Sequence, residues 1–316
     1  MKFGKRASGV AILALFHFGC GQPGTSENTA TTPPPASAQA VFKMQTGPFV
    51  LAEKAEVKSE YIVQTKLIVP QDLAPQNKWV MFEGPVLENE LIAYRFYLDS
   101  RHRSDIFGKK TNALVMDTVG WEYHDIMDWG SDILKVGELL GIGSPAIWYQ
   151  DSLFTLSDCA EKTVEIVEAG GQTASVRFTF KDLKIGDETR TIVQLWSLPT
   201  GRPHSKVELT VAEGKLPEGA EFATGIVKHL PEAESGTEGS KFYLFSWGKQ
   251  SYHGQNLGMG VVADTKYQPV VRDNPLSFLV VFENSAAGVN YEFAAAWEMD
   301  VMGVKTAADF KALLLK

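Results

Sequence analysis

The chain has 316 residues, 44% of them hydrophobic, which is enough apolar content for a sizeable core. Lys and Arg number 30 against 38 Asp and Glu, a net charge of −8 with no long basic stretch, so nothing points to a nucleic-acid partner. The 2 cysteines allow one disulfide at most, so hydrophobic burial has to hold the fold.

Lys2, Lys5 and Arg6 precede an uncharged, mostly apolar run from Ala7 to Gly19. This is a basic n-region and an h-region of signal-peptide length. The run falls short of the ~20 apolar residues a membrane-spanning helix needs. Gly19-Cys20 is the small-residue–cysteine pair that ends a lipoprotein signal, although His17 and Phe18 depart from the usual aliphatic-then-small pattern. The expectation is a removed signal over 1–20 with lipid on Cys20. Ordinary cleavage after Ala38-Gln39-Ala40 is the alternative. Gly21 follows the cysteine where Asp would stand, which by resemblance to sorted bacterial lipoproteins favours the outer membrane. The expected location is therefore the periplasm or outer membrane, with the lipid anchor as the only membrane contact. Residues 21–39 are Gly, Ser, Thr, Asn, Pro and Ala with the single charge Glu27, the composition of a disordered tether. The globular domain is expected over 40–316. Lipidation of Cys20 would leave Cys159 alone, as a small buried residue.

Period-two patterns dominate that domain. Val176, Phe178 and Phe180 share one face of a segment, Val207, Leu209 and Val211 another, and Val289, Tyr291, Phe293, Ala295 and Trp297 a third. Such alternation reads as half-buried antiparallel strand. Further strands are expected at 48–54, 61–69, 79–86, 91–98, 163–168, 190–197, 241–247, 258–263 and 277–283. Gly170-Gly171, Gly186-Asp187, Pro199-Thr200-Gly201 and Asp273-Asn274-Pro275 read as turns. The stretch 121–140 is too polar for a core strand and reads as a binding loop. Thr306-Ala307-Ala308-Asp309 opens a capped helix whose Phe310, Leu313 and Leu314 share a face. The fold class expected is all-β: a large antiparallel β-sandwich, plain or supersandwich-like, with a C-terminal helix.

Candidate chemistry rests on His102, His124, His204, His229 and His253. No pair has zinc-helix spacing, and neither a G-x-S-x-G elbow nor a phosphate-binding glycine loop is present. No cofactor is evident, and a metal held by distant histidines and carboxylates stays open. His124 lies among Trp121, Tyr123, Asp125, Asp128, Trp129 and Asp132. Carboxylates can orient an imidazole, and flat rings such as Trp129 can cover a sugar face. His229 is expected at a strand end, and Tyr252 and His253 in a second polar aromatic loop.

Three stretches resemble a domain-of-unknown-function family (DUF4861-type) of bacterial polysaccharide-utilisation proteins. They are 87–97, Leu-Glu-Asn-Glu-Leu-Ile-Ala-Tyr-Arg-Phe-Tyr; 132–144, from Asp132-Ile133-Leu134-Lys135-Val136-Gly137 to Leu140-Gly141-Ile142-Gly143-Ser144; and 225–229, Gly-Ile-Val-Lys-His. Leu87 stands where the family has Trp, and Glu90 where it has Asp. One member is an oligosaccharide dehydratase acting on ulvan fragments. The resemblance implies elimination of water from the non-reducing-end uronic acid of an acidic oligosaccharide. It then implies Arg95 and Lys135 for the carboxylate, His124 or His229 as base, and Tyr252 or His253 as acid, while Glu88 and Asn89 would position hydroxyls or equally hold a turn. The alternatives are a non-catalytic glycan-binding surface lipoprotein and a sugar epimerase or mutarotase.

Overall fold

In the computed structural model the described residues are 36–51, 56–272 and 274–316. The expected signal over 1–20, Cys20 and the tether up to residue 35 lie outside them. No helix among the described residues is long and apolar enough to cross a membrane.

The largest layer is a nine-stranded antiparallel sheet. Its order is Glu234–Glu238, Lys241–Lys249, Asn256–Asp264, Gly288–Trp297, Ser205–Val211, Glu188–Pro199, Thr173–Ile185, Glu161–Glu168 and Lys66–Val69. The period-two residues Val176, Phe178, Phe180, Val207, Leu209, Tyr291 and Phe293 fill its inner face. Two smaller sheets lie over that face. A six-stranded sheet runs Gly170–Gly171, Ala38–Val41, Val86–Asn89, Ile92–Phe96, Ser104–Lys109 and Gly130–Asp132. A five-stranded sheet runs Ser152–Thr155, Ala146–Tyr149, Glu221–Val227, Ser277–Phe282 and Pro269–Arg272. From the first, Phe96 meets Trp196 and Tyr94 meets Phe293, with ring centroids 4.8 Å and 5.0 Å apart. From the second, Phe282 stacks on Tyr291 at 5.6 Å. Cys159 is free and buried in this core, where burial pushes its thiol up.

The expected sandwich is present, and several boundaries move. Residues 48–51 are not strand; Pro48 has no N–H to give a ladder, and Val50 and Leu51 are exposed. The strand expected at 79–86 starts only at Val86. Phe82 and Glu83 adopt left-handed φ values of 59° and 61°, which no strand accommodates. Ala38 and Gln39, expected in the tether, already pair with Asn89 and Glu88, while Gly170-Gly171, read as a turn, pairs with the same two residues from the other side.

The segment 140–144 stitches the layers together. Ile142 bridges to Ile226, and Tyr291 donates to the Gly143 carbonyl at 2.8 Å. Gly143 has φ +64°, and a Cβ there would sit 2.3 Å from the Phe293 ring. Only glycine fits.

The expected C-terminal helix, Ala307–Leu314, is closed at its N-terminus by a Thr306–Asp309 capping box. It buries Phe310 and Leu314 against the outer face of the nine-stranded sheet. Buried His204 donates from Nε2 to the Leu314 carbonyl at 3.0 Å. Burial, with Arg202 adding to it, holds this imidazole down at about 4 against the usual 6.5. Between those values the unfolded chain binds a proton that the folded chain refuses. Stability is therefore full above pH 6.5 and falls as the pH drops towards 4, by about 3 kcal/mol at most. Urea midpoints measured over that window should slope less for His204→Gln than for the parent; equal slopes would refute the assignment.

Candidate functional site

Alternation along the six-stranded sheet builds the site from below. Ile92, Tyr94 and Phe96 point into the main core, so Ala93 and Arg95 point to the opposite face. Register then sets Arg95 opposite Asp105 and Phe107 opposite Asp132. This second face is also buried. The stretch between Lys109 and Gly130 folds over it, with Met116 and Tyr123 packing on Val86, Ala93 and Phe107.

Two buried charge groups sit under that cover. Lys109 meets Glu88 at 2.7 Å and donates to the Asn89 carbonyl at 2.6 Å. Glu88 also accepts from the backbone N–H of Val115 and Met116 and from the Gln39 amide. Asn89 accepts from the N–H of Leu91 and Ile92 and donates to the carbonyls of Pro199 and Arg202. Both residues are 0% exposed. The expectation that they position substrate hydroxyls is therefore corrected: their polar atoms pin the cover and the strand ends.

Arg95 heads the second group. Its guanidinium donates to Asp105 and Asp132 at 2.7 Å and 2.8 Å, and to the Tyr123 hydroxyl and Phe82 carbonyl at 3.2 Å each. Tyr97 shares the Asp105 carboxylate at 2.7 Å. Arg95 is 1% exposed, so its expected contact with a substrate carboxylate is corrected as well. Two carboxylates already occupy it. Burial and neighbouring Asp105 push the Asp132 carboxyl well above the usual range, against the pull of Arg95.

His124 stands on this group. Its Nδ1 lies 3.6 Å from the Asp132 carboxylate, and its ring packs on Tyr123 at 4.5 Å. The side chain is 55% exposed. Partial burial, then the Arg95 charge, lower its proton affinity and so favour the neutral imidazole. Exposed Tyr252 lies beside it, ring centroids 5.8 Å apart, held by its N–H on the Ile133 carbonyl. The Lys135 ammonium sits 5.5 Å from the Tyr252 ring centroid. His253 meets the same ring edge-on at 5.0 Å. Its Nε2 is 3.0 Å from the Ser131 hydroxyl, which has the carbonyls of Tyr123, His124 and Asp132 within 3.3 Å. A hydroxyl facing three acceptors directs its proton to one of them, so His253 donates from Nε2. His229, just beyond the strand Glu221–Val227, donates from Nε2 to the Lys135 carbonyl at 2.6 Å.

Five expected residues, His124, Lys135, His229, Tyr252 and His253, are thus tied to one short stretch, 131–135. Trp129 is placed differently: it is half-buried against Phe107, as part of the second core. Asp105, Tyr97 and Ser131 escaped the sequence reading. Alternation in Ser-Asp-Ile-Phe-Gly-Lys, 104–109, was the available signal for Asp105, because it places Asp105, Phe107 and Lys109 on one face, and register then sets Asp105 opposite Arg95. Among the described residues no group of three or more His, Cys, Asp or Glu is placed to hold a metal ion. A groove of about 670 Å3 lies elsewhere, along Thr179, Lys181, Thr191 and Lys215, and contains no histidine.

These features define an all-β sandwich domain that displays imidazole, phenol and ammonium groups above a buried charge cluster. The chain belongs to the family described as a domain of unknown function (DUF4861), whose model matches residues 24–316. No curated protein matches it.

Proposed function

We propose that this protein is a carbohydrate-active lyase, exported and held by lipid on Cys20, that removes water from the non-reducing-end uronic acid of acidic oligosaccharides. The observation that carries this reading is the pairing of the His124 imidazole with the Tyr252 phenol, 5.8 Å apart and exposed, with the Lys135 ammonium beside the phenol ring. Elimination across C4–C5 needs a base, an acid and a cation for the carboxylate. In this reading His124 takes the C5 proton on Nε2, its Nδ1 facing the Asp132 carboxylate at 3.6 Å. Lys135 neutralises the uronate carboxylate, so that charge developing beside it is stabilised. The C5–H electrons form the C4–C5 double bond as the C4–O bond breaks, and Tyr252 gives its proton to the departing hydroxyl. Proton return from His124 to the tyrosinate resets the site.

The test is incubation of the mature domain with uronate-terminated fragments of ulvan, alginate and pectin. Ultraviolet absorbance of an unsaturated uronate is the expected result. Silence on all three would sink the reading. Deuterium uptake from solvent at C5 without loss of water would point to an epimerase instead.

A further inference from the structure

A second feature lies in the same cover that carries His124 and has no part in the chemistry above. It is a concavity of about 310 Å3 lined by Lys43, Tyr61, Met81, Met116, Val119 and Trp121. That volume is at the lower end of the ~300–1,000 Å3 of small-ligand sites. We propose that it is a subsite for a neutral sugar ring of the same oligosaccharide, downstream of the terminal uronate. The inference rests on the reading of His124 and Tyr252 as the reacting end.

Position is the first support. A run of rings connects the two places: His124 packs on Tyr123 at 4.5 Å, Tyr123 on Trp121 at 5.9 Å, and Trp121 on Tyr61 at 6.3 Å. The indole that lines the concavity is therefore two ring contacts from the imidazole, by way of buried Tyr123. Rigidity is the second. Trp121 donates from Nε1 to the Tyr61 hydroxyl at 3.1 Å, and the Lys78 ammonium lies 5.5 Å from its ring centroid. Tyr61 in turn donates to the Lys78 carbonyl. A held indole offers a ready platform for the apolar face of a pyranose at little entropic cost.

Charge decides the kind of ring. Met81 and Met116 form an apolar floor. The cation at the rim is already used: Lys43 Nζ is 2.6 Å from the Asp117 carboxylate and 2.7 Å from the Asp117 carbonyl. An anionic sugar would meet Asp117 with no free cation among the lining residues, whereas ring hydroxyls can bond to both partners of the pair. The acidic sugar thus belongs at Lys135 and a neutral one here.

The test uses uronate-terminated oligosaccharides of two to four rings with neutral downstream sugars. The parent should favour the longest over the shortest by about tenfold in KM. Trp121→Ala and, independently, Val119→Glu should bring that ratio close to one; a ratio unchanged in both variants, with elimination intact, overturns the subsite. Calorimetry on His124→Ala separates the subsite from the chemistry. Binding of the longest oligosaccharide that weakens about tenfold on adding Trp121→Ala supports the subsite even if the parent eliminates nothing, in which case only the lyase reading falls. Equal binding with and without Trp121, or none by His124→Ala at any length, overturns it.

Discussion

If the proposed elimination is right, His124→Ala should lower kcat/KM on a uronate-terminated oligosaccharide by ~10²- to 10⁴-fold, the range lost when a positioned general base is removed. The loss should fall on kcat, because the proposed carboxylate contact of Lys135 is untouched. Tyr252→Phe should cost a similar factor, and the two changes together little more than either alone, since both remove one concerted proton transfer. The His124 side chain is 55% exposed, so the urea midpoint should move little. The pH profile supplies a second check. Partial burial and Arg95 set the imidazole below its usual 6.5. The acid limb of kcat/KM should therefore lie below pH 6.5 and vanish from the residual rate of His124→Ala. A full rate in that variant would remove His124 from the chemistry.

Arg95→Ala is expected to destabilise the fold by ~3–5 kcal/mol, the effect of stripping one partner from a buried ion pair. The substitution leaves Asp105 and Asp132, both almost fully buried, facing each other without a cation. It also strands the hydroxyl of Tyr123 and the carbonyl of Phe82. Arg95→Lys should recover only part of the loss, because one ammonium cannot reproduce a fork that reaches five groups, the Tyr97 hydroxyl among them. Stability should respond to Asp105 as well: Asp105→Asn in the Arg95→Ala background removes one of the two stranded charges and should restore some of the midpoint. Urea unfolding of the four proteins closes the comparison. An unfolding free energy for Arg95→Ala within about 1 kcal/mol of the parent would mean that the buried cluster holds nothing in place.

The sandwich was legible wherever one face of a strand meets water. Val176, Phe178 and Phe180, or Val207 and Leu209, announce their core side because polar residues alternate with them. The six-stranded sheet was harder because both of its faces are covered. Every residue from Val86 to Asn89 and from Ser104 to Lys109 is buried, so alternation there no longer separates core from solvent. A charge on such a strand looks like a surface or substrate group. That is why Arg95, Glu88 and Asn89 read as binding residues and proved to be internal. The left-handed pair Phe82-Glu83 carries no local signature of its turn. The histidines were easier to find. A loop that combines His, Tyr and carboxylates is costly to bury, so His124 and Tyr252 remained on the surface. Their convergence depends on contacts across more than a hundred residues, such as the Tyr252 N–H on the Ile133 carbonyl, which no spacing reveals.

Glu88 joins two things that are far apart in sequence. One carboxylate oxygen takes the Gln39 amide of the strand Ala38–Val41, and the pair of oxygens holds the N–H groups of Val115 and Met116. Any mechanical load on the chain ahead of residue 38 enters the domain through that strand. Hydrogen bonds to Val86–Asn89 on one side and Gly170–Gly171 on the other take it up. The same load path ends, one carboxylate later, at the cover that carries His124. Trimming the chain after Ala40 would cut that path and leave Glu88 without its Gln39 partner.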